Sequence, residues 1–102
     1  MNEYVIREGV MLTSILNQNL LVSTSANRQK CAYVKLINST AAFYWKLMED
    51  RKTINEMAII ASKEFGINDI NELICDIKAY IESLKEYGYL LSNEEMAIGN
   101  YD

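Results

Sequence analysis

Apolar and polar residues alternate from Val10 to Leu16, break at Asn17-Gln18-Asn19, and resume an extended pattern from Leu20 to Thr24. A period of two puts every second side chain on one face, so these segments read as a β-hairpin. The polar stretch Ser25 to Lys30 (SANRQK) then reads as a loop, and Ala32 to Leu36 as a third strand. Asn38 stands where the backbone must turn from strand to helix. Its side-chain amide can cap the orphan N–H groups of a first helix, about Ser39 to Glu49. Thr53 with Glu56 three residues later forms a capping box for a second helix, and Gly66 after Phe65 stops it. A third helix, about Asn71 to Tyr87, ends at Gly88. Its stripe is Leu73, Ile74, Ile77, Tyr80, Ile81, Leu84 and Tyr87. The pattern predicts an α+β fold: a three-stranded antiparallel sheet followed by three helices. Residues 1–91 form the domain, and 92–102, acidic and without helical periodicity, read as a loose tail.

Composition narrows the chemistry. At 102 residues, half of them hydrophobic and 24% charged, the chain fits one globular domain. Its formal charge of −4 opposes binding to nucleic acid, which selects for clustered Lys and Arg. No apolar run, Met57 to Ala61 included, exceeds 5 residues, far short of the roughly 20 that a membrane helix needs. The start, MNEYVIREG, has neither a basic nor an apolar segment. A cytoplasmic location is therefore the expectation.

There is no histidine, which removes His-based metal sites and Ser-His or Cys-His nucleophile pairs. Cys31 and Cys75 stand far apart and read as small core residues. The carboxylate pairs Glu49-Asp50 and Glu94-Glu95 read as solvated charges, and no phosphate-binding Gly-rich loop is present. Neither catalysis nor a cofactor is expected. Phe43, Tyr44 and Trp45 point about 100° apart on a helix, so they cannot form one stacking platform. One or two of them belong in the core.

The segment Tyr33 to Met48, YVKLINSTAAFYWKLM, carries a further signal. A strand runs into Asn38-Ser39-Thr40, then the small pair Ala41-Ala42, then the bulk of Trp45, Leu47 and Met48. This resembles the strand, Leu-Asn-x-Thr-Ala, aromatic-helix signature of the PqqD-like family, also called RiPP recognition elements. TINEMAIIASKEFG resembles that family's second helix, with its Phe-Gly end. LICDIKAYIESLKEYGYLL resembles the third, with its closing Gly-Tyr-Leu. The likeness spans about Val10 to Leu91. It departs at Ile37, where many relatives carry Leu, and at Glu8-Gly9, where many carry Pro-Gly.

The resemblance implies a winged helix-turn-helix arrangement that binds the leader of a ribosomally made precursor peptide. The leader adds as a strand to the third-strand edge, here Cys31 to Ile37, in a groove shared with helix three. The implied peptide-binding residues are Ala32, Tyr33, Val34, Lys35 and Leu36 on the strand. On the helix they are either Ile74, Lys78 and Ile81, or Ile77 and Tyr80. The partners implied are the precursor and a maturation enzyme, such as a radical S-adenosylmethionine protein or a leader peptidase. The chain itself would be a monomer or a weak edge-paired homodimer. The same architecture raises a DNA-binding transcription regulator as the alternative. Against it, the third helix bears Asp69, Glu72, Asp76, Glu82 and Glu86 beside only Lys78 and Lys85, a poor match to phosphates.

Overall fold

A computed structural model describes residues 3–24 and 34–98. The chain runs β1 (Val10–Ile15), β2 (Gln18–Ser23), β3 (Val34–Ile37), α1 (Ser39–Glu49), α2 (Ile54–Phe65), α3 (Ile70–Tyr87) and α4 (Asn93–Ile98). The strands form one antiparallel sheet in the order β1-β2-β3. An α+β architecture with the sheet preceding the helices is therefore what the chain adopts.

The hairpin is tighter than the sequence pattern suggested. Its turn is Leu16-Asn17, at φ 52° and 65°, and Gln18 and Asn19 are already paired with Ile15 and Ser14. Two successive positive φ values mark the mirror-image turn whose twist matches that of the flanking strands. Asn17 suits it, but Leu16 does not, because a left-handed conformation crowds a Cβ-bearing residue. Leu16 is also 90% exposed, so it buries nothing in return. Leu16→Asn is expected to raise stability by about 0.5–1 kcal/mol, read as a higher Tm.

The helix boundaries follow local chemistry. The Asn38 Oδ1 accepts a hydrogen bond from the Ala41 N–H at 2.8 Å, and Thr53 and Glu56 complete the capping box. Asn38→Ala should cost about 1 kcal/mol in a thermal melt. α3 starts one residue earlier than expected, with Asp69 as its cap. Gly66 and Gly88 both take the left-handed conformation. The Ile67 N–H donates to the Ser62 C=O, and the Tyr89 N–H to the Leu84 C=O, the reach-back bonds of such a stop.

One face of the sheet and the inner faces of the helices share a core that includes Leu21, Trp45, Met48, Met57, Ile77, Leu84, Tyr89 and Leu90. Tyr44 joins Trp45 inside, while Phe43 is half-buried and meets Phe65 edge to face. The three consecutive aromatics divide as their helical spacing requires.

Residues 93–98 correct the loose-tail reading. Ser92 Oγ accepts from the Glu95 N–H, and the Glu95 carboxylate accepts from the Ser92 N–H. That reciprocal cap starts α4. Glu95 also takes a two-pronged contact from Arg7, at 2.7 and 2.9 Å. The buried Arg7 donates its Nε to the Gly88 C=O as well, at 2.6 Å. Backbone bonds from Arg7 N–H to Tyr89 C=O and from Leu91 N–H to Val5 C=O extend the clamp. The segment after α3 is thus tied to the chain's beginning.

Candidate functional site: the free edge of β3 and one flank of α3

β3 pairs with β2 on one side, and among the described residues nothing pairs with its other side. Which backbone groups point outward follows from the hairpin. A two-residue turn closes on a pair that exchanges both hydrogen bonds, here Ile15 and Gln18. The pattern repeats at every second pair, and the Thr24 N–H donating to Gly9 C=O at 3.2 Å continues it. Asn19 and Leu21 therefore aim their backbone groups at β3, where their partners are Ile37 and Lys35. Val34 and Leu36, in alternation, direct their N–H and C=O groups over the free edge.

The side chains divide by the same alternation. Lys35 and Ile37 lie on the face of Leu21, toward the helices. Val34 and Leu36 lie on the opposite face with Met11, Leu20 and Val22. That outer face is apolar and open: Met11, Val34 and Leu36 are all more than half exposed or at half.

Two contacts fix which flank of α3 neighbours β3 and α1. The Lys35 ammonium sits 4.0 Å from the ring centroid of Tyr87, a cation–π contact. The Tyr80 hydroxyl donates to the Ala41 C=O at 3.2 Å. Tyr44 lies against Tyr80, with ring centroids 6.4 Å apart. Burial pushes the Tyr80 hydroxyl pKa upward. The Tyr44 pKa is also raised, first by burial and then by the charge of Asp76. Tyr80 and Tyr87, seven residues apart, fall on one side of the helix, and Asp76 and Ser83 share that side.

The residues named from sequence separate against this geometry. Val34, Lys35 and Leu36 lie on the free edge strand, whereas Cys31, Ala32 and Tyr33 fall outside the described residues. Tyr80 lines the flank that faces α1. Ile77 and Ile81 are core residues with almost no exposed surface. Lys78 is exposed and stands about 180° around the helix from Tyr87. Ile74, half-buried against the core, shares that far side. Cys75 is exposed on the polar face of α3, which corrects its reading as a core residue. Tyr87 belongs to the apolar stripe by its spacing, yet it is 44% exposed, with one face stacked toward Tyr89 and Lys35 at its ring.

Among the described residues no group of three His, Cys, Asp or Glu side chains could hold a metal ion. No described helix is long and apolar enough to cross a membrane. The exposed side chains of α3 include Glu72, Asp76, Glu82 and Glu86 against Lys78, so the helix presents mainly negative charge.

No protein-family model matches the chain, and no curated protein matches it. Its fold does match a solved structure, TbiB1 in complex with the TbiA(beta) leader peptide. The two superpose with a TM-score of 0.71 over 86% of this chain and 95% of TbiB1, at 16% identity. At that identity the likeness establishes a shared fold, and TbiB1 is a protein of that fold with a leader peptide bound.

Proposed function

We propose that this chain binds the leader segment of a ribosomally made precursor peptide by adding it as a strand to β3. It then presents the precursor to a maturation enzyme, such as a radical S-adenosylmethionine protein or a leader peptidase. The observation that carries this reading is the free β3 edge, with the Val34 and Leu36 backbone groups turned outward beside the Tyr80–Tyr87 flank. The fold shared with TbiB1 supports it, as does the resemblance to PqqD-like domains. The helix wall of the groove is Tyr80, Ser83 and Tyr87, in preference to Ile74, Lys78 or the buried Ile77 and Ile81.

The energetics suit recruitment and release. An added strand gains about four backbone hydrogen bonds, each worth about 1 kcal/mol net. One or two apolar anchors add about 1.5–3 kcal/mol each. Ordering each peptide residue costs roughly 1–2 kcal/mol. The gains and the ordering cost are of similar size, which keeps the complex weak enough to release.

The reading frames that flank this gene are the place to search for short precursors whose leaders serve as test peptides. Synthetic leaders from those frames, labelled and titrated by fluorescence anisotropy, should bind the wild-type chain saturably. Tyr87→Ala should weaken binding about tenfold through loss of an exposed aromatic wall, while moving Tm little. Lys78→Glu should change affinity by less than about twofold, because that residue faces away. A reversed ranking would place the peptide on the other flank of α3.

A further inference from the structure

Lys35 is half-buried at the rim of the sheet, on the helix-facing side of an edge strand. Its ammonium rests over the Tyr87 ring, and among the described residues no carboxylate is within ion-pair distance of it. Ion pairs among the described residues include Arg7–Glu95 and Lys85–Glu82. We infer that Lys35 selects leader peptides bearing Asp or Glu at the position directly opposite it in the added strand. The inference rests on the strand-addition reading and names the feature that decides which precursor is accepted.

The argument is one of desolvation. Residues directly opposite in neighbouring strands share a face, with Cβ atoms about 4.5–5.5 Å apart. A strand bonded to the outward groups of Val34 and Leu36 places one residue opposite Lys35, pointing toward Tyr87. That strand also removes water from the ammonium. The tyrosine ring replaces only part of the lost hydration. An apolar residue opposite would leave the charge desolvated and unpaired, and a cation there would repel it. A carboxylate pairs with it in a site already shielded on one side by the ring. Asp76 and Glu86 belong to α3 and form no ion pair with Lys35, so the peptide must bring the counter-charge.

A display library of random dodecapeptides, panned in parallel on the wild-type, Val34→Pro, Lys35→Glu and Lys35→Met chains, tests this. Clones that bind wild type and are lost with Val34→Pro define strand addition. Among them, Asp or Glu should be enriched at one fixed position. Their affinity should fall about threefold with Lys35→Met and about tenfold with Lys35→Glu, and panning on Lys35→Glu should enrich Lys or Arg at that same position. Clones that depend on Val34 but show no acidic preference and tolerate Lys35→Glu would overturn the inference and leave strand addition standing. Clones indifferent to Val34→Pro would overturn both.

Discussion

Val34→Pro is expected to abolish leader binding while leaving the domain folded. Proline removes the N–H of residue 34 and puts a ring where it stood. By the alternation of the ladder that N–H points over the free edge, so no bond to β2 is lost, and proline is tolerated at such edge positions. An incoming strand loses one hydrogen bond, worth about 1 kcal/mol, and meets the ring where its own backbone must lie. The combined effect should weaken binding about thirtyfold or more. Leu36→Pro should behave alike. Lys35→Pro is the contrasting case, because its N–H faces Leu21 of β2. It should unpair β3 and lower Tm substantially. Circular dichroism melts beside the anisotropy titration distinguish the two phases. Equal destabilisation by all three prolines would mean that the alternation runs otherwise.

The second large effect lies away from the groove. Arg7→Ala should destabilise the fold by roughly 2–4 kcal/mol, a fall in Tm of about 10–25 °C. Arg7 is 7% exposed and ties three points together: the Gly88 carbonyl, the Glu95 carboxylate, and through its backbone the Tyr89 carbonyl. Its truncation leaves a buried carbonyl without its charged donor and a carboxylate without its partner. Arg7→Lys should recover only part of the loss, since an ammonium cannot reproduce the guanidinium fork.

The same clamp sets an acid limb of stability. Hydrogen bonds from Arg7, and then from the Ser92 N–H, hold the Glu95 pKa down at about 2, from an ordinary 4.5. A carboxylate depressed by folding stabilises the native state above its unfolded pKa, and that stabilisation is lost as pH falls through the folded value. Between pH about 4.5 and about 2 the wild-type chain should therefore lose stability that Glu95→Gln never had. Denaturant midpoints at several pH values should converge for the two chains at the acid end. Parallel curves across that range would remove Glu95 from the account.

What was legible in the sequence was local. Asn38, the Thr53–Glu56 pair, Gly66 and Gly88 act through backbone groups within a few residues, so their roles could be read from neighbours alone. Leu16 misled because its side chain argues for strand while the tight turn needs a positive φ there. The short helix Asn93–Ile98 has too few residues for a periodic stripe. Its signal was nonetheless present in Ser92-x-x-Glu95, the same kind of capping box that marked α2.

The geometry around the candidate site follows from the sequence for the strand and only partly for the helix. Alternation located the third strand and the resemblance to PqqD-like domains implied that its edge is the binding edge, but the phase of its hydrogen bonds depends on a turn placed elsewhere. On α3 the apolar stripe showed which residues face inward and could not show which side of that stripe meets β3. That choice is tertiary, made by Lys35 over Tyr87 and by Tyr80 reaching Ala41. Lys78 and Ile74 looked suitable by position along the helix and fall on the other side. For Cys75, residue type argues for the core, and its place on the polar face of α3 outweighs that.

Amide hydrogen exchange, with and without a bound leader, tests strand addition most directly. Strand addition predicts new protection at the Val34 and Leu36 amides, with Lys35 and Ile37 already protected by β2 in the free chain. It also predicts slower exchange or shifted resonances near Tyr80 to Tyr87. Protection confined to Phe43 to Met48, or to α4, with the Val34 and Leu36 amides unchanged, would contradict it.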